Sequence, residues 1–224
     1  MKYNNVLVGK FIERPNRFIA FVDINGERKV CHVKNTGRCK ELLVHGATVF
    51  LDKSEKLNRK TEFDLIAVEK NGAIINIDSQ APNIVANEFL SSFFGNDAKI
   101  YREKTFKKSR FDFYIESGER KIFLEVKGVT LEENGIVRFP DAPTERGIKH
   151  INELVESMSY GYEAYILFVI QMKGVNFFEP NDNTHKLFGD ALRSANSKGV
   201  KILAYDCIVT SDSIKIDSKV KVNL

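Results

Sequence analysis

Asp112, Glu125 and Lys127 are the residues of this chain whose types and spacing suit chemistry on a phosphodiester. The stretches RFDFYI (110 to 115) and KIFLEVKGVT (121 to 130) both alternate apolar and polar residues, the period of a half-buried strand. A hairpin turning over Ser117 to Arg120 would set Asp112 directly opposite Glu125. Side chains two apart share a strand face, so Lys127 joins the two acids while Phe111, Phe113, Leu124 and Val126 take the other face. Two opposed acids repel, and a hard divalent ion with Lys127 beside it relieves the repulsion. The site is thus expected to take Mg²⁺ or Mn²⁺, leaving ligand positions for water and phosphate oxygens. Lys127 would hold the attacking water or neutralise charge on the phosphate. The same letters also fit a solvated strand face on which Glu125 and Lys127 merely balance each other, and so short a pattern does not decide between the two.

The elements that must carry these residues fall into two modules. At 224 residues the chain has room for one large domain or two smaller ones, and 43% hydrophobic with 29% charged residues is ordinary for a globular protein. The longest apolar run, Ala164 to Ile170, is too short to span a bilayer, and MKYNNVLVGK lacks the apolar stretch of a signal peptide. A cytoplasmic protein without membrane partners is expected. Cys31, Cys39 and Cys207 show neither a disulfide framework nor zinc-ligand spacing, and no small-molecule cofactor motif is evident. His32, His45, His150 and His185 are scattered and read as surface or packing residues. Residues 1 to 80 hold 14 Lys/Arg against 10 Asp/Glu, whereas residues 81 to 224 hold 20 of each, which suits a basic N-terminal module for a polyanion.

Strand signals fill residues 1 to 80: Val6 to Ile12, Phe18 to Ile24, Lys29 to Val33, Ala47 to Leu51, Phe63 to Val68 and Ala73 to Ile77. Asn25-Gly26 and Asn71-Gly72 join pairs of them as hairpins, and so many short strands suggest a small barrel, of which the OB-fold is a common kind. Ser79 to Asn83, with Pro82, reads as the link to residues 81 to 224. There a helix (Ile84 to Phe94), three strands, a helix (Thr144 to Met158), a buried strand (Tyr165 to Ile170), a helix (His185 to Lys198) and a strand (Val200 to Tyr205) predict a mixed α/β sheet. On the second helix the apolar stripe leaves Arg146, Lys149, His150 and Glu153 on the polar side; Arg146 and His150, one helical turn apart, could face the cleft of the acids, and an ordinary polar helix face explains them equally well.

Five longer motifs, ERPNRF (13 to 18), HVKNTGRCKELL (32 to 43), RKT (59 to 61), EVKGVTLEENG (125 to 135) and FPDAPTERGIKHINEL (139 to 154), resemble those of the bacterial and archaeal sugar fermentation stimulation protein A family. The resemblance runs from near Gly9 to about Tyr205. It implies an N-terminal OB-like domain, a C-terminal domain of the PD-(D/E)xK nuclease fold, and a DNA-binding protein linked to regulation of sugar use. Asp112, Glu125 and Lys127 match the acid, acid and lysine of those nucleases, although Phe111 stands where their proline would be. Glu88, on the first helix, is similar in place to an extra acid that some of them contribute to the metal, and a solvated helix glutamate explains it equally well. Glu103 is a lesser candidate metal ligand, and Gln171 is a weak match because Val175 stands where a tyrosine would follow.

DNA is the partner so implied. Arg14, Arg17, Arg38, Arg59 and Lys60 match motif positions in the first domain, and arginine forks pair well with phosphates. Asn16, Asn35 and Thr36 could add neutral hydrogen bonds. Phe11, Phe18 and Phe21 interleave with the basic residues as base-stacking aromatics do, yet barrel core is the favoured reading for most of them. Lys104, Lys107, Lys108 and Arg110 form the densest charge run and lead directly into Asp112, so they would guide a DNA backbone toward the acids. The expectation is a DNA-binding protein of little sequence specificity carrying a nuclease-type metal site, with an active Mg²⁺-dependent nuclease as the alternative. The sequence carries no sign of the oligomeric state.

Overall fold

A computed structural model describes residues 1–35, 37–55 and 59–224. Thr36 lies outside the described residues. Six antiparallel-rich strands come first: β1 (Val6–Asn16), β2 (Ile19–Ile24), β3 (Glu27–Val33), β4 (Thr48–Lys53), β5 (Phe63–Lys70) and β6 (Ala73–Asn76). They run in the order β3-β2-β1-β4-β5-β6, and a parallel pairing of β3 with β5 closes the first five into a barrel. Closure removes the sheet edges that would otherwise invite other chains. Asn25-Gly26 and Asn71-Gly72 have the positive φ angles that a two-residue hairpin turn needs. Gly9 is required for a different reason: a Cβ there would sit 2.8 Å from the Asp23 carbonyl oxygen on the neighbouring strand.

The second half is an α/β domain. It begins with α1 (Ala81–Phe94), so Ala81, Pro82 and Asn83, read above as linker, form its first turn. Proline suits that position because its missing N–H would find no helical partner anyway. Then come β7 (Lys99–Phe106), β8 (Ser109–Ser117), β9 (Arg120–Val129), β10 (Leu131–Glu133), β11 (Ile136–Phe139), α2 (Glu145–Met158), β12 (Glu163–Ile170), β13 (Phe177–Pro180), α3 (Asp182–Ser197), β14 (Lys201–Val209), β15 (Ile214–Lys219) and β16 (Lys221–Val222). The main sheet runs β15-β14-β12-β9-β8-β7. Tyr165, Leu167 and Val169 of β12 pack with Val85 and Leu90 of α1, and the alternate residues Ile166, Phe168 and Ile170 pack with Ile151 and Leu154 of α2. Burial on both faces is why β12 reads as a continuous apolar run.

A small sheet, β10-β11-β13-β16, was not anticipated. It lies against the α2 side, where Phe178 stacks on Phe168 at 4.1 Å between ring centres. The barrel is not a separate bead. Its interior residues Phe11, Val33 and Ile77 belong to the same apolar core as Phe111, Val129 and Phe168. Polar ties cross the junction as well: Gln171 accepts Asn76 N–H on its carbonyl at 2.9 Å, and its own amide donates to Asn76 Oδ1 and the Asp78 carbonyl. No helix among the described residues is long and apolar enough to cross a membrane.

Candidate metal and nucleic-acid site

The site forms where two strands of the main sheet part company. β8 and β9 pair from Ser117–Arg120 to Phe113–Leu124, a register that projects Asp112 opposite Glu125. The ladder stops there, and the Asp112 carboxylate itself receives the Val126 N–H at 2.8 Å and the Asn83 amide of α1 at 2.9 Å. On the other side of β8, Arg102 and Lys104 of β7 pair with Phe113 and Phe111, and between them Glu103 takes a left-handed φ of 58°. This local irregularity corrects one expectation. Phe113, Leu124 and Val126 share the α1 face, but Phe111 turns to the opposite face and packs against Phe123 and His150.

Glu125 is only 4% exposed, a costly place for a carboxylate unless it is paired. Its Oε1 accepts from Lys127 Nζ at 2.7 Å and from Nδ1 of His150. Its Oε2 is buried without a hydrogen-bond partner. Burial pushes the Glu125 carboxyl up, but His150 and Lys127 outweigh it and hold the group below the usual glutamate range. Asp112 goes the other way. Burial, and then the negative charge of Glu125, raise its carboxyl above the usual aspartate range despite Val126, Lys127 and Asn83.

Of the two expectations for His150, a polar helix face or a place facing the acids, the structure has the second: it is 5% exposed, reaches Glu125, and lies on the buried stripe with Gly147, Ile151 and Leu154. The spacing held the signal: His150 follows Gly147 by three and precedes Leu154 by four, which places all of them on one helix face. Thr144 caps α2 by accepting the Gly147 N–H at 3.0 Å, and a Cβ at Gly147 would crowd Thr144 and Phe188, so the motif around it fixes where His150 enters. Arg146 Nε approaches His150 Nε2 at 3.5 Å, a pattern that leaves Nδ1 to donate to Glu125.

The chemistry of this donor set fits a divalent cation. Two acids lie close enough for one to raise the other, and one buried carboxylate oxygen has no other partner. Among the described residues no three His, Cys, Asp or Glu side chains converge as a ready-made ligand set. A hard ion that keeps several waters and takes one or two carboxylates matches so sparse a set better than a caged ion would. Glu88 and Glu103 stand apart from this pair. Glu88 receives the amino terminus of Met1 at 2.8 Å, and Glu103 pairs with Arg110 at 3.4 Å.

The basic residues divide by what they touch. Arg14 spends its guanidinium on four backbone carbonyls, those of Arg17, Asn35, Gly37 and Arg38, and so braces two loops of the barrel together. Arg59 grips both oxygens of the buried Asp64, which also pairs with Lys34 at 3.1 Å. Arg17 and Arg38, with Lys40 and His45, line a cavity of about 720 Å³ on the barrel. Lys60 is exposed. Lys104, Lys107, Lys108 and Arg110 are exposed along the β7–β8 hairpin, where Lys104 lies over the Tyr114 ring and Lys107 pairs with Glu156. The aromatics also sort differently from the expectation: Phe11 is core, but Phe18 and Phe21 face outward, with Arg28 stacked over Phe21 at 3.9 Å.

A second, smaller cavity of about 170 Å³ lies between residues of the barrel side, Asn35 and Gly37, and the end of β9 at Gly128 and Val129. Gly37 lines both cavities, and the smaller one is bounded by Asp141, Gln171 and Gly128, the residue after Lys127. Asp141 accepts the Arg38 N–H at 3.2 Å. Residues of four of the five sequence motifs therefore lie in one region: Arg14 and Arg17; Asn35, Gly37 and Arg38; Glu125 and Gly128; and Asp141 and His150.

Comparison with known proteins agrees with this architecture. Residues 12–77 match the SfsA N-terminal OB domain, and residues 80–213 match the sugar fermentation stimulation protein RE domain. Relatives named sugar fermentation stimulation protein homolog include one from Desulfitobacterium hafniense (strain Y51), 57% identical with 100% of this chain and 99% of that protein covered. Another, from Clostridium beijerinckii, is 58% identical with 100% of both covered. The solved structure of Pyrococcus furiosus SfsA in complex with Ca²⁺ matches at a TM-score of 0.88 and 28% identity, covering 100% of this chain and 98% of that one. With both domains matched and relatives this similar along its whole length, the chain belongs to the sugar fermentation stimulation protein family.

Proposed function

We propose that this protein binds DNA through its phosphates, with little regard for base sequence, and holds a divalent cation, Mg²⁺ or Mn²⁺, between Asp112 and Glu125. The observation that carries the metal is the buried Oε2 of Glu125, partnerless beside an acid that Glu125 itself perturbs. A structural relative complexed with Ca²⁺ supports the same reading. Support for DNA comes from the barrel cavity, lined by Arg14, Arg17, Arg38 and Lys40 against one acid among the described residues, Glu13, and bordered by Gly37, which also borders the smaller cavity at Gly128. In this reading Arg17, Arg38, Lys40 and Lys60 meet phosphates directly, while Arg14 and Arg59 act as braces. The lysines of the β7–β8 hairpin extend the basic path to Asp112. We place the protein in the cytoplasm, in keeping with its free, buried thiols, and a role in regulating sugar use follows from the family.

Phosphodiester hydrolysis is the second reading, and Lys127 favours it. Its side chain is only 15% exposed and its ammonium lies 2.7 Å from Glu125, on the strand next to Asp112, which resembles the arrangement of acids and lysine in PD-(D/E)xK nucleases. When bound, the cation would lower the pKa of the attacking water and offset charge on the phosphate. The residues do the rest. Asp112 and Glu125 hold the reacting centre at the open end of the hairpin, His150 fixes the Glu125 rotamer from behind, and Lys127 places a positive charge beside the scissile phosphate. The test is anisotropy and cleavage, with Mg²⁺ or Mn²⁺, on supercoiled, branched and single-stranded DNA at saturating protein. Binding should fall steeply with salt and vary little among sequences, and Lys127→Ala should abolish any cutting while leaving most of the affinity. Affinity that ignores salt would refute DNA binding through phosphates. Wild type that cuts none of these DNAs would remove the nuclease reading for them and leave the binding reading standing.

A further inference from the structure

We propose that Phe18 is a stacking platform for an unpaired base, so that DNA with single-stranded or frayed character binds better than intact duplex. The inference rests on the DNA-binding reading and adds a substrate class to it. Asn16 pairs with Ile19 across the β1–β2 hairpin, which leaves Arg17 and Phe18 as its two turn residues. The backbone of this turn is pinned from every side. Asn16 Oδ1 accepts the N–H groups of Phe18 and Ile19 at 2.9 and 3.0 Å, and the Phe18 carbonyl accepts the Val33 N–H at 2.8 Å. Arg14 holds the Arg17 carbonyl from beneath at 2.7 Å. Phe18 as a whole is nevertheless 51% exposed.

A large aromatic held out into water on a rigid tip contributes little to the fold, because much of its burial is forgone. Its neighbours indicate what covers it. Arg17, adjacent in the chain, lines the barrel cavity with Arg14, Arg38 and Lys40 against the acid Glu13, and Arg14 ties the Arg17 and Arg38 carbonyls together. Phe18 thus stands beside the basic edge of that cavity, which suits a polyanion and disfavours a purely apolar protein partner. Phosphate contacts with an aromatic among them are the elements by which single strands are held without sequence preference. The other two aromatics of this region are not equivalent: Phe11 is 4% exposed in the core, and the face of Phe21 already carries Arg28. Rigidity matters because a preformed platform loses little conformational freedom on binding. Intact duplex offers no free base face to the ring, whereas an overhang or a frayed end does.

The experiment compares a blunt duplex, the same duplex with an overhang, and the corresponding single strand, by anisotropy at one salt concentration, for wild type, Phe18→Ala and Phe18→Trp. Wild type should favour the unpaired substrates. Phe18→Ala should lose about 5- to 150-fold on them, the range for one stacked base, with duplex affinity changed by less than about twofold. Phe18→Trp should keep the preference. A 2-aminopurine placed in the overhang should be quenched by wild type and not by Phe18→Ala. Salt-dependent DNA binding with no preference for unpaired bases, or with a preference that Phe18→Ala leaves intact, overturns this inference alone. Absence of salt-dependent binding to any of the three DNAs overturns the DNA reading together with it.

Discussion

Replacing Asp112 by asparagine separates its two roles, as a buried charge and as a metal ligand. The shape and both hydrogen bonds survive the change: the amide oxygen can accept the Val126 N–H now received at 2.8 Å, and Asn83, with its amide turned over, can accept from the new NH₂. What disappears is a negative charge close to that of Glu125. The direction of its effect follows from linkage. A carboxyl raised on folding adds stability below its ordinary pKa and loses that contribution as pH rises through the raised value. Near neutral pH, with chelator present, Asp112→Asn should therefore be at least as stable as wild type, and stability should fall less between mildly acidic and neutral pH. With metal the order reverses. A cation at about 100 times its Kd stabilises the fold by about 2.7 kcal/mol. In a chain of this size each kcal/mol raises Tm by roughly 2–4 °C, which makes the wild-type shift about 5–10 °C. The variant should shift by less than about 1 °C under the same conditions. Thermal unfolding in chelator, followed by titration with Mg²⁺, Mn²⁺ and Ca²⁺, reads both effects. Equal metal shifts in the two proteins would refute the ligand assignment, and a variant much less stable than wild type in chelator would refute the repulsion argument.

Two further outcomes test the surroundings of the site. A Cβ at Gly128 would lie 2.6 Å from Gln171 Oε1 and 2.7 Å from Pro82 Cγ, so Gly128→Ala should cost about 1–3 kcal/mol in urea unfolding as α1 is forced off β9. A neutral result would mean that the first turn of α1 yields freely. Glu163 is held down to about 2, first by its hydrogen bond from Arg120 and, against burial, by Lys201. Its depressed value contributes stability above the ordinary 4.5 that is lost as pH falls toward about 2, so Glu163→Gln should flatten the acid limb of a stability-against-pH curve. An unchanged limb would show that solvent screens the pair completely.

Alternation and Asn-Gly turns made the barrel legible, because both are local signals: each of the six anticipated strands is present. The small sheet was hidden by its construction. Its strands are two to four residues long, and β11 and β13 pair in parallel across α2 and β12, so no local period records them. One signal was available, since Asn134 and Gly135 form a third positive-φ Asn-Gly turn between β10 and β11. In the site, hairpin register set Asp112 opposite Glu125, but strict alternation did not foresee the irregularity at β8 that turns Phe111 to the other face and leaves Asp112 to the Asn83 amide of α1. His150 could not be joined to Glu125 in that way, because α2 reaches the sheet through tertiary packing. The same holds for Arg14, whose task of bracing two loops is visible only once those loops are folded side by side.

One apolar cluster runs from the barrel interior to the α2 side of the α/β domain, so the two are packed against each other rather than strung on a linker. Two surfaces held at a fixed distance pass the work of fitting to the ligand. On the DNA-binding proposal, a duplex touching both the Arg17–Arg38 cavity and the open end of the β8–β9 hairpin does that work by bending and unstacking, whose cost depends on the steps being deformed. Pyrimidine–purine steps such as TA would yield readily, and stiff A-tracts would resist. If the proposed phosphate contacts hold, a mild sequence bias would in this way come from the mechanics of the duplex alone.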